Sequence, residues 1–290
     1  MTRQKITIHD LQSLKERGEP ITMITAYDYP SGVLAERAGV EMVLVGDSLG
    51  MVVHGFHSTV PVTMDMMVLH CAAVARAEGT FFLVGDMPFG SYEIAPTEAT
   101  RHAARLMKEG NVDAVKLEGG REMADTVRAI SAAGIPVQGH IGLTPQSASK
   151  LGGFKVQGKT ARDARRLLRD ALALQEAGCF SIVLEAVPDR VAAAITARLD
   201  VPTIGIGAGA GCSGQVLVWH DMLGLFDRFL PKFAHRFADA GTTITEGLAE
   251  FVGRVKAGEF PAAANSFTIK QAEWEAFEAG IDGAEPVDSE

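Results

Sequence analysis

The sequence predicts an α/β protein that folds as a single (β/α)8 TIM barrel with additional C-terminal helices. Eight short apolar segments have the length and composition of buried parallel strands. Helix-like segments separate almost all of them, which is the alternation typical of a barrel. Four of the apolar segments end on a carboxylate, at the end of a strand where α/β proteins bind their ligands. We expect one barrel domain over residues 1–282, followed by a disordered acidic tail at 283–290.

The first half of the chain contains four of the predicted strands. Thr7 begins a short helix that Gly18 ends, because threonine caps the amino ends of helices and glycine follows their carboxyl ends. The next predicted elements are a strand at 21–27, a helix at 31–38, a strand ending at Asp47, a helix containing Asp65 and His70, a strand at 81–86, a helix capped by Thr97, and a strand at 114–118. The loop at 50–59 is too long for a simple turn between strand and helix, which favours a functional role.

The second half continues the alternation as far as the seventh strand. The predicted elements are a helix at 121–133, a strand at 135–140, a helix at 160–177, a strand ending at Glu185, a helix at 189–199, and strands at 202–207 and 215–221. Glycine, proline, serine and threonine are frequent over 142–160, which predicts a mobile lid over the strand ends. Only a glycine-rich loop separates strands seven and eight, and this is the weakest part of the barrel prediction.

Composition excludes several classes of protein. The chain has 27 basic and 36 acidic residues, a net charge of −9, and no basic cluster that could follow a nucleic-acid backbone. Its apolar runs are too short to span a bilayer, and its amino terminus lacks the apolar core of a signal peptide, so we expect a soluble cytoplasmic protein. Cys71, Cys179 and Cys212 are scattered without metal-ligand or redox spacing and are interpreted as small buried side chains.

Polar side chains collect at one rim of the predicted barrel. They follow or end strands two to six and are Asp47, Asp86, Glu118, His140 and Glu185. Several carboxylates at one place repel each other unless a cation lies between them, and a hard divalent ion such as Mg²⁺ prefers oxygen ligands. Lys116 lies two residues before Glu118, on the same face of its strand, and its charge could hold an anionic substrate.

Each of these residues also has a purely structural interpretation. Asp47 and Ser48 could cap the following helix, and Lys116 could form a salt bridge with Glu118. His140 could be a hydrogen-bonded polar side chain, and Glu185 could bond to a neighbouring strand. The combination of residues points to chemistry more strongly than any one of them does.

A glycine-rich segment follows the seventh strand at 205–211. It differs from a dinucleotide-binding fingerprint because Ala210 stands where the third glycine belongs. The segment could form a phosphate site on a barrel. We favour the simpler interpretation, in which the glycines allow a tight turn beside the rim.

Several motifs resemble the ketopantoate hydroxymethyltransferase family over nearly the whole chain and in the family's order. They are 46–55 (GDSLGMVVHG), 85–92 (GDMPFGSY), 115–120 (VKLEGG), 139–146 (GHIGLTPQ), 153–158 (GFKVQG), Leu184-Glu185, 205–209 (GIGAG), Phe260-Pro261 and Ser266-Phe267. The family belongs to the phosphoenolpyruvate mutase and isocitrate lyase group of barrels, in agreement with the predicted fold.

The resemblance implies an activity and a set of roles. It implies a cytoplasmic one-carbon transferase of pantothenate biosynthesis, which uses Mg²⁺ and 5,10-methylenetetrahydrofolate to convert 3-methyl-2-oxobutanoate to ketopantoate through an enolate. It also implies a homo-oligomer, since decamers are common in the family. By matched motif positions, Asp47 and Asp86 would bind the metal, and Glu118 would bind it directly or through water. Ser48 and Lys116 would hold the keto acid's carboxylate, His140 would lie beside the substrate, and Glu185 would accept the proton.

Two other hypotheses remain at this point. A lyase or mutase of the same barrel group would act on another 2-oxo acid, but such enzymes carry a catalytic cysteine on a lid, and the three cysteines lie outside 142–160. A non-catalytic metabolite-binding or assembly protein would need a purely structural acidic rim. Keto-acid-dependent binding of Mg²⁺, measured by calorimetry, separates the transferase from that second alternative.

Overall fold

Eight parallel strands form a closed barrel, and they follow one another around it in chain order. The computed structural model describes residues 4–281, so the predicted tail at 283–290 lies outside the described residues. The strands are β1 (Ile21–Thr25), β2 (Met42–Val45), β3 (Phe82–Asp86), β4 (Ala114–Glu118), β5 (Val137–Gly142), β6 (Cys179–Glu185), β7 (Thr203–Ile206) and β8 (Gly214–Leu217). Pairing of Ile21 in β1 with Gly214 in β8 closes the ring. The predicted fold class is confirmed.

Helices follow most of the strands. They are α1 (Ile8–Arg17), α2 (Tyr29–Ala38), α3 (Leu49–Val52), α4 (Met64–Ala75), α5 (Pro96–Lys108), α6 (Ala124–Ala132), α7 (Ala148–Leu151), α8 (Ala161–Ala177), α9 (Asp189–Thr196), α10 (Trp219–Met222), α11 (Ala240–Lys256) and α12 (Gln271–Ile281). Short 3₁₀ helices lie at Arg121–Met123, Pro145–Ser147 and Ala263–Asn265. The predicted caps of α1 are confirmed: Thr7 accepts a hydrogen bond from the Asp10 amide, and Gly18 follows the helix with φ of 69°.

Three local predictions are wrong. Thr97 does not cap α5, because the helix already begins at Pro96, where a missing N–H costs nothing. The predicted loop at 50–59 begins inside a short helix, α3. The predicted eighth strand ends at Leu217, since the amide of Trp219 donates to Thr25 Oγ1 at 2.8 Å and the chain turns into α10.

The core has two shells. Alternate strand residues fill the barrel interior, where the rings of Phe82 and Phe180 meet edge to face with centroids 5.3 Å apart. A larger shell lies between the strands and the surrounding helices. Leu11 of α1 belongs to the interior cluster and is 1% exposed. The Lys15 ammonium of the same helix donates to the carbonyl of Val201, just before β7. Helix α1 therefore closes the amino end of the barrel, which leaves the carboxyl end for ligands.

Contacts divide the chain into two compact units, Met1–Ala238 and Asp239–Glu290. The barrel belongs to the first unit, and α11 and α12 belong to the second. The prediction of one domain over 1–282 stays a prediction. Within residues 4–281, no helix combines the length and the apolarity needed to cross a membrane.

Candidate active site

A cavity of about 410 Å³ opens at the carboxyl end of the barrel. Its wall includes all seven site residues predicted from the sequence, which are Asp47, Ser48, Asp86, Lys116, Glu118, His140 and Glu185. Because parallel strands end at the same rim, residues up to 138 positions apart in the chain (185 − 47 = 138) meet in one pocket. The predicted convergence of these residues at one rim is found.

Asp47, Asp86 and Lys116 form the first group in the cavity. The Lys116 ammonium lies 2.8 Å from Asp86 Oδ1, and both side chains are buried. The Asp47 amide donates to Asp86 Oδ2 at 3.3 Å. Burial, together with repulsion from Asp86 and Glu118, raises the pKa of Asp47 well above its ordinary value. Burial also raises the pKa of Asp86, against the attraction of Lys116. The group therefore places two carboxyl groups beside one lysine, and their mutual repulsion favours the uptake of a proton or a further cation.

His140 lies between two glutamates. Its Nδ1 atom is 3.2 Å from Glu118 Oε1, and its Nε2 atom is 3.1 Å from Glu185 Oε2. Burial and nearby Lys116 lower the pKa of His140, but the contacts with Glu118 and Glu185 outweigh them and raise it to about 9. A protonated imidazole between two carboxylates holds Glu185 in place at the cavity wall. His140 is thus a polar side chain with partners on both sides, and it is also part of the cavity.

The simpler structural interpretations of Asp47, Ser48 and Lys116 are not what the structure shows. Ser48 precedes α3, but its side chain makes no capping hydrogen bond and instead lies 2.9 Å from the Tyr27 hydroxyl. Asp47 accepts a hydrogen bond from Gln146 rather than from a helix amide. Lys116 pairs with Asp86 at 2.8 Å rather than with its strand neighbour Glu118.

The donor atoms suit a hard cation. Asp47 and Asp86 offer adjacent buried carboxylates, and Mg²⁺ is usually held by one or two carboxylates with water and substrate in its other positions. Both oxygens of Glu118 are already engaged, one with His140 and the other with the Gln146 amide at 3.1 Å. Among residues 4–281, no group of three or more Asp, Glu, His or Cys side chains is placed to hold a metal ion by itself. The arrangement fits an ion that takes its remaining ligands from substrate and water.

Gln146 is a site residue that the sequence does not reveal. Its side-chain amide donates to Asp47 Oδ2 at 2.9 Å and to the Met87 carbonyl at 3.0 Å. Its Oε1 atom accepts from the Tyr92 hydroxyl at 2.6 Å, and its backbone amide donates to Glu118 Oε2. One buried glutamine of the segment predicted as a lid therefore positions two of the carboxylates. The glutamine ends the GHIGLTPQ motif, but no pattern in that motif indicates a role for it.

Replacement of Gln146 is expected to lower the stability of the protein. Gln146→Met removes the hydrogen-bond donor of a buried carboxylate while keeping the side-chain volume, so the free energy of unfolding should fall by about 1–3 kcal/mol. Urea denaturation measures this loss. Gln157→Met is the matched control, because the Gln157 side-chain amide donates to the carbonyl of Lys155 at the surface, and it should change stability by less than about 0.5 kcal/mol. Equal effects of the two substitutions would contradict the assigned role.

Asp221 is a second residue that the sequence analysis missed as part of the site. It lies in α10, is 7% exposed, and lines the cavity together with Val216, Val218 and Phe226. Its carboxylate has no hydrogen-bond or ion-pair partner among residues 4–281. Burial raises the pKa of Asp221 to about 6. An isolated carboxylate in an apolar wall costs stability, so its presence calls for an explanation.

Asp221→Asn is expected to stabilise the protein near neutral pH. The pKa of Asp221 is higher in the folded state than in the unfolded state, so the ionised group opposes folding as pH rises from about 4 through about 6. The variant should therefore show a higher Tm at about pH 7.5, by a few degrees, since 1 kcal/mol corresponds to about 2–4 °C in a chain of this size. The gain should disappear below about pH 4. A difference in Tm that does not change with pH would contradict the argument.

The glycines after β7 allow other side chains to pack closely against the backbone. Gly207 has φ of +63°, and a Cβ atom there would lie 2.7 Å from the ring of Phe233. A Cβ atom at Gly209 would lie 2.6 Å from the Cβ atom of Asp189, at the start of α9. The structure therefore supports the tight-turn interpretation of this segment, which also lets Phe233 reach the rim.

Comparison with known sequences gives a consistent family. The family model described as Ketopantoate hydroxymethyltransferase matches residues 5–263. A 3-methyl-2-oxobutanoate hydroxymethyltransferase of Moorella thermoacetica is 57% identical over 265 residues, which cover 91% of this chain and 98% of the relative. A protein of the same name from Emericella nidulans is 52% identical over 282 residues, which cover 97% of this chain and 81% of the relative.

Comparison with solved structures gives the same kind of barrel. A 2,3-dimethylmalate lyase, described as a member of the PEP mutase/isocitrate lyase superfamily, has a TM-score of 0.58 with 14% identity and covers 97% of each chain. A phosphonopyruvate hydrolase in complex with oxalate and Mg²⁺ has a TM-score of 0.56 with 13% identity, over 96% of this chain and 98% of the other. At these identities the likeness concerns the fold alone.

Proposed function

Because this chain belongs to the ketopantoate hydroxymethyltransferase family, we propose that it transfers a hydroxymethyl group from 5,10-methylenetetrahydrofolate to 3-methyl-2-oxobutanoate, which gives ketopantoate for pantothenate synthesis. The chain is a one-carbon transferase. The observation that carries the proposal is the meeting of two buried aspartates, a buried lysine and a histidine-bound glutamate in one cavity. This set can bind an anionic keto acid and remove a proton from it.

The buried charges suit the keto acid. Asp47 and Asp86 would hold Mg²⁺, and Glu118 would reach it through water because both its oxygens have protein partners. When bound, the ion would supply Lewis-acid stabilisation of negative charge on the keto oxygen. Lys116 and Ser48 would hold the carboxylate of the keto acid, since a buried ammonium and a hydroxyl both line the cavity.

Glu185 would act as the base. It ends β6, its side chain is 15% exposed, and His140 fixes one of its oxygens at 3.1 Å. The free oxygen would accept the proton from the carbon next to the keto group, and the resulting enolate would attack the methylene carbon of the donor. One water molecule would supply the hydroxyl of the product, and both carbon–nitrogen bonds of the methylene group would break, so that tetrahydrofolate leaves. His140 positions Glu185 and lies beside the substrate.

A lyase or mutase with a catalytic cysteine is less well supported. Burial raises the pKa of Cys71 far above its ordinary value and that of Cys179 to about 12, so neither thiol readily gives up its proton. The described wall of the cavity contains no cysteine. The cysteines are confirmed as mostly buried small side chains, with Cys212 partly exposed.

Proton NMR of 3-methyl-2-oxobutanoate in heavy water tests the proposal. With Mg²⁺ alone, the wild-type protein should exchange the proton next to the keto group, and with methylenetetrahydrofolate added it should form ketopantoate. A chelator should stop both reactions. A folded, Mg²⁺-supplied sample that gives neither exchange nor product would overturn the proposed reaction.

Location and assembly complete the proposal. We place the enzyme in the cytoplasm as a homo-oligomer, a decamer, working on small molecules without nucleic acid or membrane as partner. The acidic balance of the chain argues against nucleic acid as a partner, and no helix among its described residues could span a membrane. The assembly is what membership of the family implies. Analytical ultracentrifugation should give a sedimenting mass near ten chains, and a monomer would contradict the assembly.

A further inference from the structure

The wall of the cavity is divided into two arcs of different chemistry. The charged arc follows β2 to β6 and contains the residues assigned above to the keto acid and the metal. The remaining arc runs from β7 through β8 to β1, and its wall includes Ile206, Val216 and Val218. In the proposed function, a branched 2-oxo acid with a metal ion would occupy only the charged arc. A cavity of about 410 Å³ is within the range of about 300–1,000 Å³ that holds much larger ligands.

Aromatic rings cover this apolar arc. We call residues 224–233, which follow α10, the cover segment. Its Phe226 and Phe229 rings lie 5.9 Å apart at 77°, and Phe233 packs on Gly207 at the end of β7. Phe226 is buried, whereas Phe229 is 52% exposed at the cavity wall. Exposed aromatic faces beside an enzymatic cavity favour a flat ligand that stacks on them.

Asp221 lies in the same arc and has no partner. Its carboxylate is 7% exposed, faces the cavity wall formed by Val218 and Phe226, and accepts no hydrogen bond from the part of the chain that the structure describes. Tyr27 is the titratable side chain that interacts with it electrostatically, and the Tyr27 hydroxyl is already paired with Ser48. A buried carboxylate without a protein donor is suited to a ligand that brings its own N–H groups.

We propose that the apolar arc binds the pterin ring of the one-carbon donor, with the Asp221 carboxylate accepting hydrogen bonds from the 2-amino group and the adjacent ring N–H. The inference rests on the proposed function, in which the donor is a tetrahydrofolate. A reduced pterin is flat at its pyrimidine edge, apolar on its faces, and carries this pair of donors side by side, which matches the two oxygens of a carboxylate. The rings of Phe226 and Phe229 flank the same space.

Two lysines at the mouth of the cavity suit the other end of the donor. Lys155 and Lys232 both line the cavity and are exposed, and neither ammonium has an ion-pair partner among residues 4–281. The glutamate of a folate carries two carboxylates, which would reach the mouth if the pterin lies inside. In this arrangement, the charged groups of both substrates would lie beside protein groups of opposite charge.

Asp221→Asn tests the assignment through the two substrates separately. We expect the KM for methylenetetrahydrofolate to rise by roughly 10- to 100-fold, because a charged acceptor of two hydrogen bonds is lost. Deuterium exchange of the keto acid without folate should stay within twofold of wild type, since that step uses only the charged arc. Asp227→Asn is the matched control, because Asp227 is an exposed carboxylate of the same cover segment that does not line the cavity.

An analogue of the folate donor tests the proposed contact with Asp221 directly. Tetrahydrofolate in which a methyl group replaces the 2-amino group should bind the wild-type protein roughly 10-fold or more weakly than tetrahydrofolate, and the two should bind Asp221→Asn with similar Kd values in titration calorimetry. Discrimination that survives in the variant would overturn the inference, as would an unchanged folate KM or an equal loss of keto-acid exchange. Wild-type protein that makes no ketopantoate would instead overturn the proposed function.

Discussion

Glu185→Gln should lower kcat for ketopantoate formation by about 10²- to 10⁴-fold, the contribution usual for a positioned general base. The amide keeps the shape of the side chain and can still contact His140, which lies 3.1 Å from Glu185 Oε2. It cannot accept a proton from carbon. The same factor should appear in deuterium exchange of the keto acid without folate, because that exchange reports the proton-transfer step alone.

Binding and folding serve as controls for this variant. Affinity for the keto acid in the presence of Mg²⁺ should change by less than about threefold, since Lys116 and the aspartates remain. Glu93→Gln is the matched substitution, because Glu93 is an exposed glutamate that accepts a surface hydrogen bond from the Gly90 amide. Exchange by Glu185→Gln within threefold of wild type would show that another group removes the proton.

Lys116→Met should lower both activity and stability. The Lys116 side chain is 4% exposed, and its ammonium lies 2.8 Å from Asp86 Oδ1. Its removal leaves the buried carboxylates of Asp86 and Asp47 without their cation, and breaking a buried pair in this way costs about 3–5 kcal/mol. Activity should fall at least about 10²-fold, because the anchor for the substrate carboxylate is lost as well.

Stability measured at two pH values and with added Mg²⁺ separates the loss of stability in Lys116→Met from its loss of activity. Without the lysine, protonation of Asp86 and Asp47 removes the repulsion between their buried charges. The loss of stability should therefore be larger at about pH 8 than at about pH 5. Added Mg²⁺ should raise the Tm of Lys116→Met more than that of wild type, since the ion replaces the missing charge. Lys108→Met, at an exposed position of α5, is the control. A loss below about 1 kcal/mol at about pH 8 would contradict the prediction.

Sequence reasoning found residues whose role follows from their position at the end of a strand. Asp47, Asp86 and Glu118 come directly after or at the end of apolar runs, so the closed barrel necessarily brings them to one rim. It did not find Gln146 or Tyr92, because their importance depends on partners far along the chain. The hydrogen bond from Gln146 to Asp47 spans 99 residues, and nothing local to either residue predicts it.

The end of β8 shows why local patterns fail at the rim. Apolar residues from Val216 to Trp219 extend the strand pattern, but the Trp219 amide bonds to Thr25 of β1 and diverts the chain. This turn places Asp221 on a helix that borders the cavity. A long-range hydrogen bond therefore decides the position of a residue that periodicity assigned to a strand.

The position of helix α1 affects the order in which parts of the barrel can fold during synthesis. Its Lys15 bonds to the carbonyl of Val201, and β1 pairs with β8 through Ile21 and Gly214. Helix α1 is synthesised well before β8, so the barrel interior in which Leu11 is buried is complete only after the last strand has been made. A nascent chain interrupted before residue 214 would keep its amino-terminal helix unburied and available to chaperones or proteases.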